Sequence, residues 1–380
     1  MGKQETLQLD QGYLLMKEII SKAPGRVCLF GDHQDYLGLP IIACAIDRYI
    51  TVHAIPNETV SSVIRMPDIG MGRILNFSDY LKDGIAHEEP LKKNDHFVSA
   101  LRVVQRYGCF PKEGFDIKIT GDVPINAGLS SSSAMIVAWV QFLLKTFGCD
   151  RPITPNLIGQ LAYEAEVIEH NAPGGKMDQY SSAVGGIFHL RTDSTEKLTP
   201  VNAQLSGLII GESGIPKNTL GVLGDLKVLT LNAIAQVKKA YPDFHLVSAT
   251  MNTYENCKDA LDLKAQPYFY AAIKNHEITQ KAFIALSKST PDINDIGALM
   301  SAHHKVLKEV LKITVPRINA MITAALNTGA YGAKIVGSGG GGSICALAPL
   351  GKETQIIEAI TSAGAIHAYE TKISKGAFIV

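Results

Sequence analysis

The chain has 380 residues, 36 Lys and Arg against 36 Asp and Glu, and a hydrophobic content of 46%. That length fits two domains or one large one, and the apolar fraction supports packed cores and argues against disorder. Balanced charge leaves no uniform basic face for nucleic acid. The longest nearly uncharged apolar run, Ala134 to Leu144, is shorter than the roughly 18–20 residues that span a bilayer.

In chain order, the N-terminal MGKQETLQLDQGYLL lacks the apolar core of a signal peptide. Met1–Thr6 formally fits M-G-x-x-x-[ST], a loose acylation hexapeptide. Strands are expected at Tyr49–Ile55 and at Phe115–Thr120, where apolar and polar residues alternate. Helices follow at Ala134–Phe147 and Leu157–His170, the second opened by Thr154 as N-cap and Pro155 at the first helical position. Further strands are expected at Gly186–Leu190, Gly207–Ile210 and Ala333–Val336. Further helices are expected at Leu226–Ala240, Tyr268–Leu286, Ile296–Leu311, Pro316–Asn327 and Thr354–Ala363. Strands dominate the first half and long helices the second, with a polar, Pro-containing break at Asp193–Asn202. The expectation is an α+β protein of two lobes, residues 1–200 and 201–380. The six cysteines are scattered without C-x-x-C spacing, as expected of buried free thiols in a reducing cytosol, and a cytoplasmic location follows.

Three segments stand out chemically. Gly121 to Ala134 runs GDVPINAGLSSSSA, a Pro/Gly turn between a strand and a strongly apolar helix. Small residues at a helix start leave backbone N–H groups uncovered, and those groups bind anions. One serine suffices to cap a helix, so capping alone does not explain four. No G-x-x-x-x-G-K-[ST] loop occurs, so a nucleoside triphosphate would need another loop design.

The second segment, Gly337 to Gly342, is GSGGGG and formally satisfies G-x-G-x-x-G. A dinucleotide fold requires a helix directly afterwards, whereas SICALAP reads as a strand. Five glycines in six residues exceed what a tight turn needs and point to close approach of a backbone or ligand. The third segment, Ala23 to Tyr36, crowds Arg26, Asp32, His33 and Asp35 around the apolar Val27–Phe30. Two carboxylates and an imidazole within four residues suit a ligand rich in hydroxyls.

Together, APGRVCLFGDHQDYLG, P-x-x-x-GLSSSSA and GSGGGG resemble, in order and spacing, the three motifs of the GHMP family of small-molecule kinases. The resemblance spans nearly the whole chain. It implies an N-terminal lobe like a domain of ribosomal protein S5, a ferredoxin-like C-terminal lobe, and an active site between them. It also implies ATP as co-substrate with Mg²⁺. Pro124, Gly128, Leu129, Ser130, Ser131, Ser132, Ser133 and Ala134 match the ATP motif, with Gly339 and Gly340 from the third motif. Ser131 resembles the Mg²⁺-ligating serine, with Ser132 open because one additional serine blurs the register, and Glu166 matches the second ligand. Asp178 resembles the catalytic aspartate and Arg26 the arginine beside it, which would favour the ionised carboxylate.

Gly-Asp-His-Gln-Asp-Tyr resembles the galactokinase signature, which implies sugar contacts at Asp32, His33, Asp35 and Gly175. The implied reaction is phosphorylation of the anomeric hydroxyl of galactose or a related sugar. Asp32 is shorter than the usual Glu, Gln34 replaces Thr, Gly340 replaces Phe, and Gly211–Thr219 looks more like mevalonate-type kinases. A mevalonate-type alcohol kinase and a catalytically silent sugar sensor therefore stand as alternatives. A dinucleotide-dependent oxidoreductase rests on the glycine pattern alone.

Overall fold

A computed structural model describes residues 18–80, 91–193, 197–216 and 219–380. The Met1–Thr6 hexapeptide lies outside them, as do residues 194–196 and 217–218 of two segments named above.

The N-terminal lobe begins with β1 (Ile19–Phe30), β2 (Ile41–Pro56), β3 (Ser61–Met66) and β4 (Met71–Asn76). α1 (His96–Gln105), β5 (Phe115–Gly121), α2 (Ser131–Phe147), α3 (Pro155–Tyr163), α4 (Met177–Val184), β6 (Ile187–Leu190) and β7 (Leu198–Val201) follow. β2 organises the sheet. It pairs with β1 along its length, with β5 from Ile50 to Pro56, and with β6 from Ile41 to Cys44. β3 runs parallel to β5 and antiparallel to β4. α2 is apolar almost all round and packs on β1 and β2 with Trp139 and Phe142 fully buried.

Register shifts in β1 fall between Pro24 and Arg26 and between Cys28 and Phe30. Bulges re-aim side chains, and Arg26 follows the first of them directly. Continuity of α3 is also broken: the chain makes a π turn at Glu164–Ile168 where an unbroken helix to His170 was expected. Such insertions recur at functional sites, and this one carries Glu166.

The C-terminal lobe contains β8 (Leu208–Glu212), α5 (Thr219–Ala240), α6 (Met251–Cys257), α7 (Gln266–Leu286), α8 (Ile293–Lys305) and α9 (Pro316–Asn327). β9 (Gly332–Ile335), β10 (Ser343–Leu347), α10 (Glu353–Ser362) and β11 (His367–Thr371) complete it. The sheet order is β11–β8–β10–β9, all antiparallel. Counted within the lobe, that is 4-1-3-2 with helices in the first and last connections, the ferredoxin-like arrangement. α8 also ends in a π turn, at Val306–Val310. The last strand, β12 (Phe378–Ile379), returns to the first sheet and pairs with β1.

Candidate active site

A cavity of about 390 Å³ opens where the N-terminal lobe meets the start of the glycine loop. Arg26, Asp32, His33, Asp35, Glu166 and Asp178 all line it, with Ser130–Ser133 and Gly337–Ser338. Segments separated by more than three hundred residues are thereby brought to one place.

The arginine–aspartate pair is its best-defined feature. Arg26 is 2% exposed and donates from Nε and a terminal nitrogen to Oδ1 of Asp178 at 2.8 and 2.7 Å. Its other terminal nitrogen donates to the Gly128 carbonyl oxygen. Burial alone would favour loss of the Arg26 proton, but Asp178 outweighs it and holds the guanidinium charged. One side chain thus ties β1, the serine loop and the start of α4 together.

The serine loop ends in an unusual helix start. Ser130 precedes α2 in the left-handed region, at φ 62°, and no side-chain hydrogen bond caps the helix. The Ser130 hydroxyl is buried and has no hydrogen-bond partner among the described residues. A left-handed serine and an orphaned hydroxyl are costly unless a ligand uses them. The uncapped N-terminus of a 17-residue helix offers backbone N–H groups and the positive end of its dipole to an anion.

Glu166 accepts a hydrogen bond from Ser132 Oγ at 2.8 Å and from Gln179 Nε2 at 2.6 Å. Burial raises its pKa even against bonds from Ser133, Gln179 and Ser132. A desolvated carboxylate next to hydroxyls is an all-oxygen donor set that suits Mg²⁺. Of the two serines left open by the motif, Ser132 is the one hydrogen-bonded to Glu166.

Asp35 accepts from the backbone N–H groups of Tyr36 and Met177 at 3.0 and 3.4 Å. A Cβ on Gly175 would lie 2.2 Å from Asp35 Oδ2, so glycine there lets the carboxyl settle against the loop before α4. Burial, and then the charge of Asp178, raise the Asp35 pKa to about 6. His33, at φ 63°, places Nε2 3.2 Å from the Ser338 carbonyl oxygen and Nδ1 3.1 Å from the Tyr36 hydroxyl. A carbonyl can only accept, so Nε2 carries the proton and Nδ1 accepts from Tyr36.

Other motif residues stand behind the cavity wall. Leu129 and Ala134 are fully buried, and the Leu129 carbonyl accepts from the Arg26 N–H. Pro124 lies in the turn before the loop, outside the cavity lining among the described residues. Gly339 and Gly340 lean on Ile313: a Cβ at Gly339 would meet its side chain at 2.7 Å, and the Gly340 N–H donates to its carbonyl at 2.8 Å. Close backbones account for the glycines, since a Cβ at Gly128 would meet the Val336 carbonyl and one at Gly342 the Ala127 carbonyl, each at 2.8 Å. Asp32, by contrast, is part of the cavity lining, but it is 1% exposed and its carboxylate is taken by Lys334 and the Gly337 N–H. Lys334 and Gln179 were not anticipated from sequence. The sequence sign for Lys334 was a lone lysine inside the apolar GAKIV.

Models of known families match three stretches of the chain. The GHMP kinases N terminal domain matches residues 95–186 and the GHMP kinases C terminal domain residues 280–366. The chain belongs to the GHMP kinases. It is thus a phosphotransferase of the sugar and alcohol kinase kind. The galactokinase galactose-binding signature matches residues 15–56 of this GHMP kinase. A mevalonate kinase of Thermococcus sibiricus is 28% identical over 94% of this chain and 96% of its own length. A galactokinase of Actinobacillus succinogenes is 28% identical over 87% of this chain and 85% of its own. Among solved structures, Lactococcus lactis galactokinase complexed with galactose superposes with a TM-score of 0.81 at 20% identity, covering 96% of this chain and 95% of that one. Methanococcus jannaschii mevalonate kinase gives 0.66 at 19%, covering 94% and 99%. No helix among the described residues is long and apolar enough to cross a membrane.

Proposed function

We propose that this GHMP kinase transfers the terminal phosphoryl group of ATP to the anomeric hydroxyl of a monosaccharide, with galactose the leading acceptor. The observation that carries this reading is the galactose-binding signature over residues 15–56, whose His33 and Asp35 line the same cavity as Asp178 and the serine loop.

Phosphoryl transfer asks a protein chiefly for positioning and charge stabilisation. The uncapped start of α2 and the backbone of Gly128–Ser133 hold the triphosphate. Asp178 accepts the proton of the acceptor hydroxyl as that oxygen attacks. Arg26, bonded to Asp178 Oδ1, fixes that carboxylate and offsets negative charge at the transferring group. Glu166, with Ser132 or Ser131, would hold Mg²⁺, which neutralises phosphate charge when bound. Asp35 orients the acceptor through its hydroxyls, with His33 beside it in the cavity lining.

The Asp35 carboxyl provides a pH signature. Accepting two hydroxyl hydrogens requires the ionised form, and the pKa of about 6 places that form above pH 6. As pH falls below that value, the acceptor KM rises about tenfold per pH unit. Initial rates from pH 5 to 8 at varied acceptor and saturating ATP test it; a level acceptor KM across that range removes Asp35 from acceptor binding.

Mevalonate or another alcohol is the second reading, favoured by the mevalonate kinase relatives at 28% identity over 94% of the chain. ADP release over a panel of monosaccharides, mevalonate and homoserine separates the two. Turnover of galactose is the expected outcome, and turnover confined to mevalonate would sink the sugar assignment.

A further inference from the structure

Asp32 occupies the first acidic position of the sugar signature, yet its carboxylate is already committed. Oδ2 accepts from Lys334 Nζ at 2.6 Å and Oδ1 accepts from the Gly337 N–H at 2.9 Å. Lys334, fully buried on β9, sends its other bonds to the carbonyl oxygens of Cys28 and Ile335 at 2.9 and 2.8 Å. All three ammonium protons are therefore used within the protein. Burial opposes charge on both partners, and each nevertheless keeps it: Asp32 is shifted down chiefly by Lys334, and Lys334 up chiefly by Asp32.

The surrounding groups do not compete for the pair. His303 is fully buried, stacks on Phe30 and lies 3.9 Å from Asp32. Burial, followed by the Lys334 charge, lowers its pKa to about 3 and leaves the ring neutral. The next residue of the signature, His33, bonds to the Ser338 carbonyl. Two successive residues of the turn after β1 thus grip two successive residues of the glycine loop, at the Gly337 N–H and the Ser338 carbonyl. From the other side the loop is held by Gly340 N–H on Ile313, Gly342 N–H on Ile215, and Ser213 N–H on the Gly342 carbonyl.

We propose that Asp32 and Lys334 are positioning residues, a buried latch that sets the glycine loop against the acceptor motif, and that the carboxylate of the motif that reads the acceptor is Asp35, not Asp32. The inference rests on the reading of this cavity as the phosphoryl-transfer site. Aspartate suits the role where glutamate would not: one methylene less keeps the carboxylate beside β9. Buried ion pairs specify geometry better than they add stability, and removing one partner strands the other's charge.

The test combines amide hydrogen exchange with kinetics on Asp32→Asn and Lys334→Met. Exchange is read on the protein with no ligand present, so it does not depend on which acceptor is correct. Amides at Gly337–Gly342 exchange at least tenfold faster in each variant, and wild-type rates in both would overturn the latch. The kinetic probes are D-galactose and its single deoxy analogues. A latch lowers kcat for all of them by one common factor, about tenfold. If Asp32 instead bonds an acceptor hydroxyl, Asp32→Asn raises KM for galactose and leaves the analogue lacking that hydroxyl unaffected, which contradicts the proposal. Failure of wild-type enzyme to turn over any of these sugars counts against the sugar assignment, and the exchange result still decides the latch. Should both variants fail to fold, Lys334→Arg keeps the charge but cannot place donors on the same three acceptors. It is expected to speed loop exchange at least threefold, and wild-type exchange in it would overturn the proposal.

Discussion

Asp178→Asn lowers kcat by about two to four orders of magnitude, the usual worth of a positioned proton acceptor. The amide oxygen still accepts from Arg26, which is 2% exposed and needs that partner, so the fold is retained. What is lost is the group that takes the acceptor proton. ATP binding, measured by calorimetry, stays within about threefold of the parent, because the triphosphate is held by the α2 start and the serine loop. A variant with parental kcat would remove Asp178 from the chemistry.

Arg26→Met lowers kcat by about two to three orders of magnitude, the range found when a preorganised charge-stabilising donor is removed. Two further effects distinguish it from the aspartate variant. The Gly128 carbonyl loses its guanidinium donor, so the serine loop loosens and the ATP KM rises as well. The melting temperature falls, because the buried guanidinium bonds that tie Asp178 and the Gly128 carbonyl to β1 are lost. Since the two side chains act as one unit, the double variant is no slower than the slower single one. Additive losses in the double variant would show that the two act separately.

How much of this was legible in the sequence differs by element. The helices from α8 to α10 carry a 3.6-residue period, and these and α7 lie within a few residues of expectation. β1 escaped because nearly all of it is buried, so it shows a run rather than an alternation, interrupted by a buried arginine. α1 and α4 are short, and α4 begins inside a loop sequence rich in glycine. The π turns at Glu164 and Val306 leave no mark on hydrophobic periodicity, since one added residue shifts the phase without breaking it.

The site was legible where motif residues touch one another locally, as with the four serines and the start of α2. It was not legible where the partner lies far along the chain. Asp32 and Lys334 are 302 residues apart, and nothing in the acceptor motif distinguishes a carboxylate that meets a ligand from one that meets a buried lysine. Gly339 and Gly340 match a phosphate motif by position, while both meet Ile313. Glycine content records that something comes close to the chain, and only the fold says what.

Transfer to the anomeric oxygen is decided by phosphorus NMR of the product formed from D-galactose, ATP and Mg²⁺. One new phosphomonoester resonance is expected, coupled to the anomeric proton and formed about two to four orders of magnitude more slowly when Asp178→Asn replaces the parent enzyme. A phosphate coupled to any other sugar proton, or no sugar phosphate while mevalonate is converted, would contradict it.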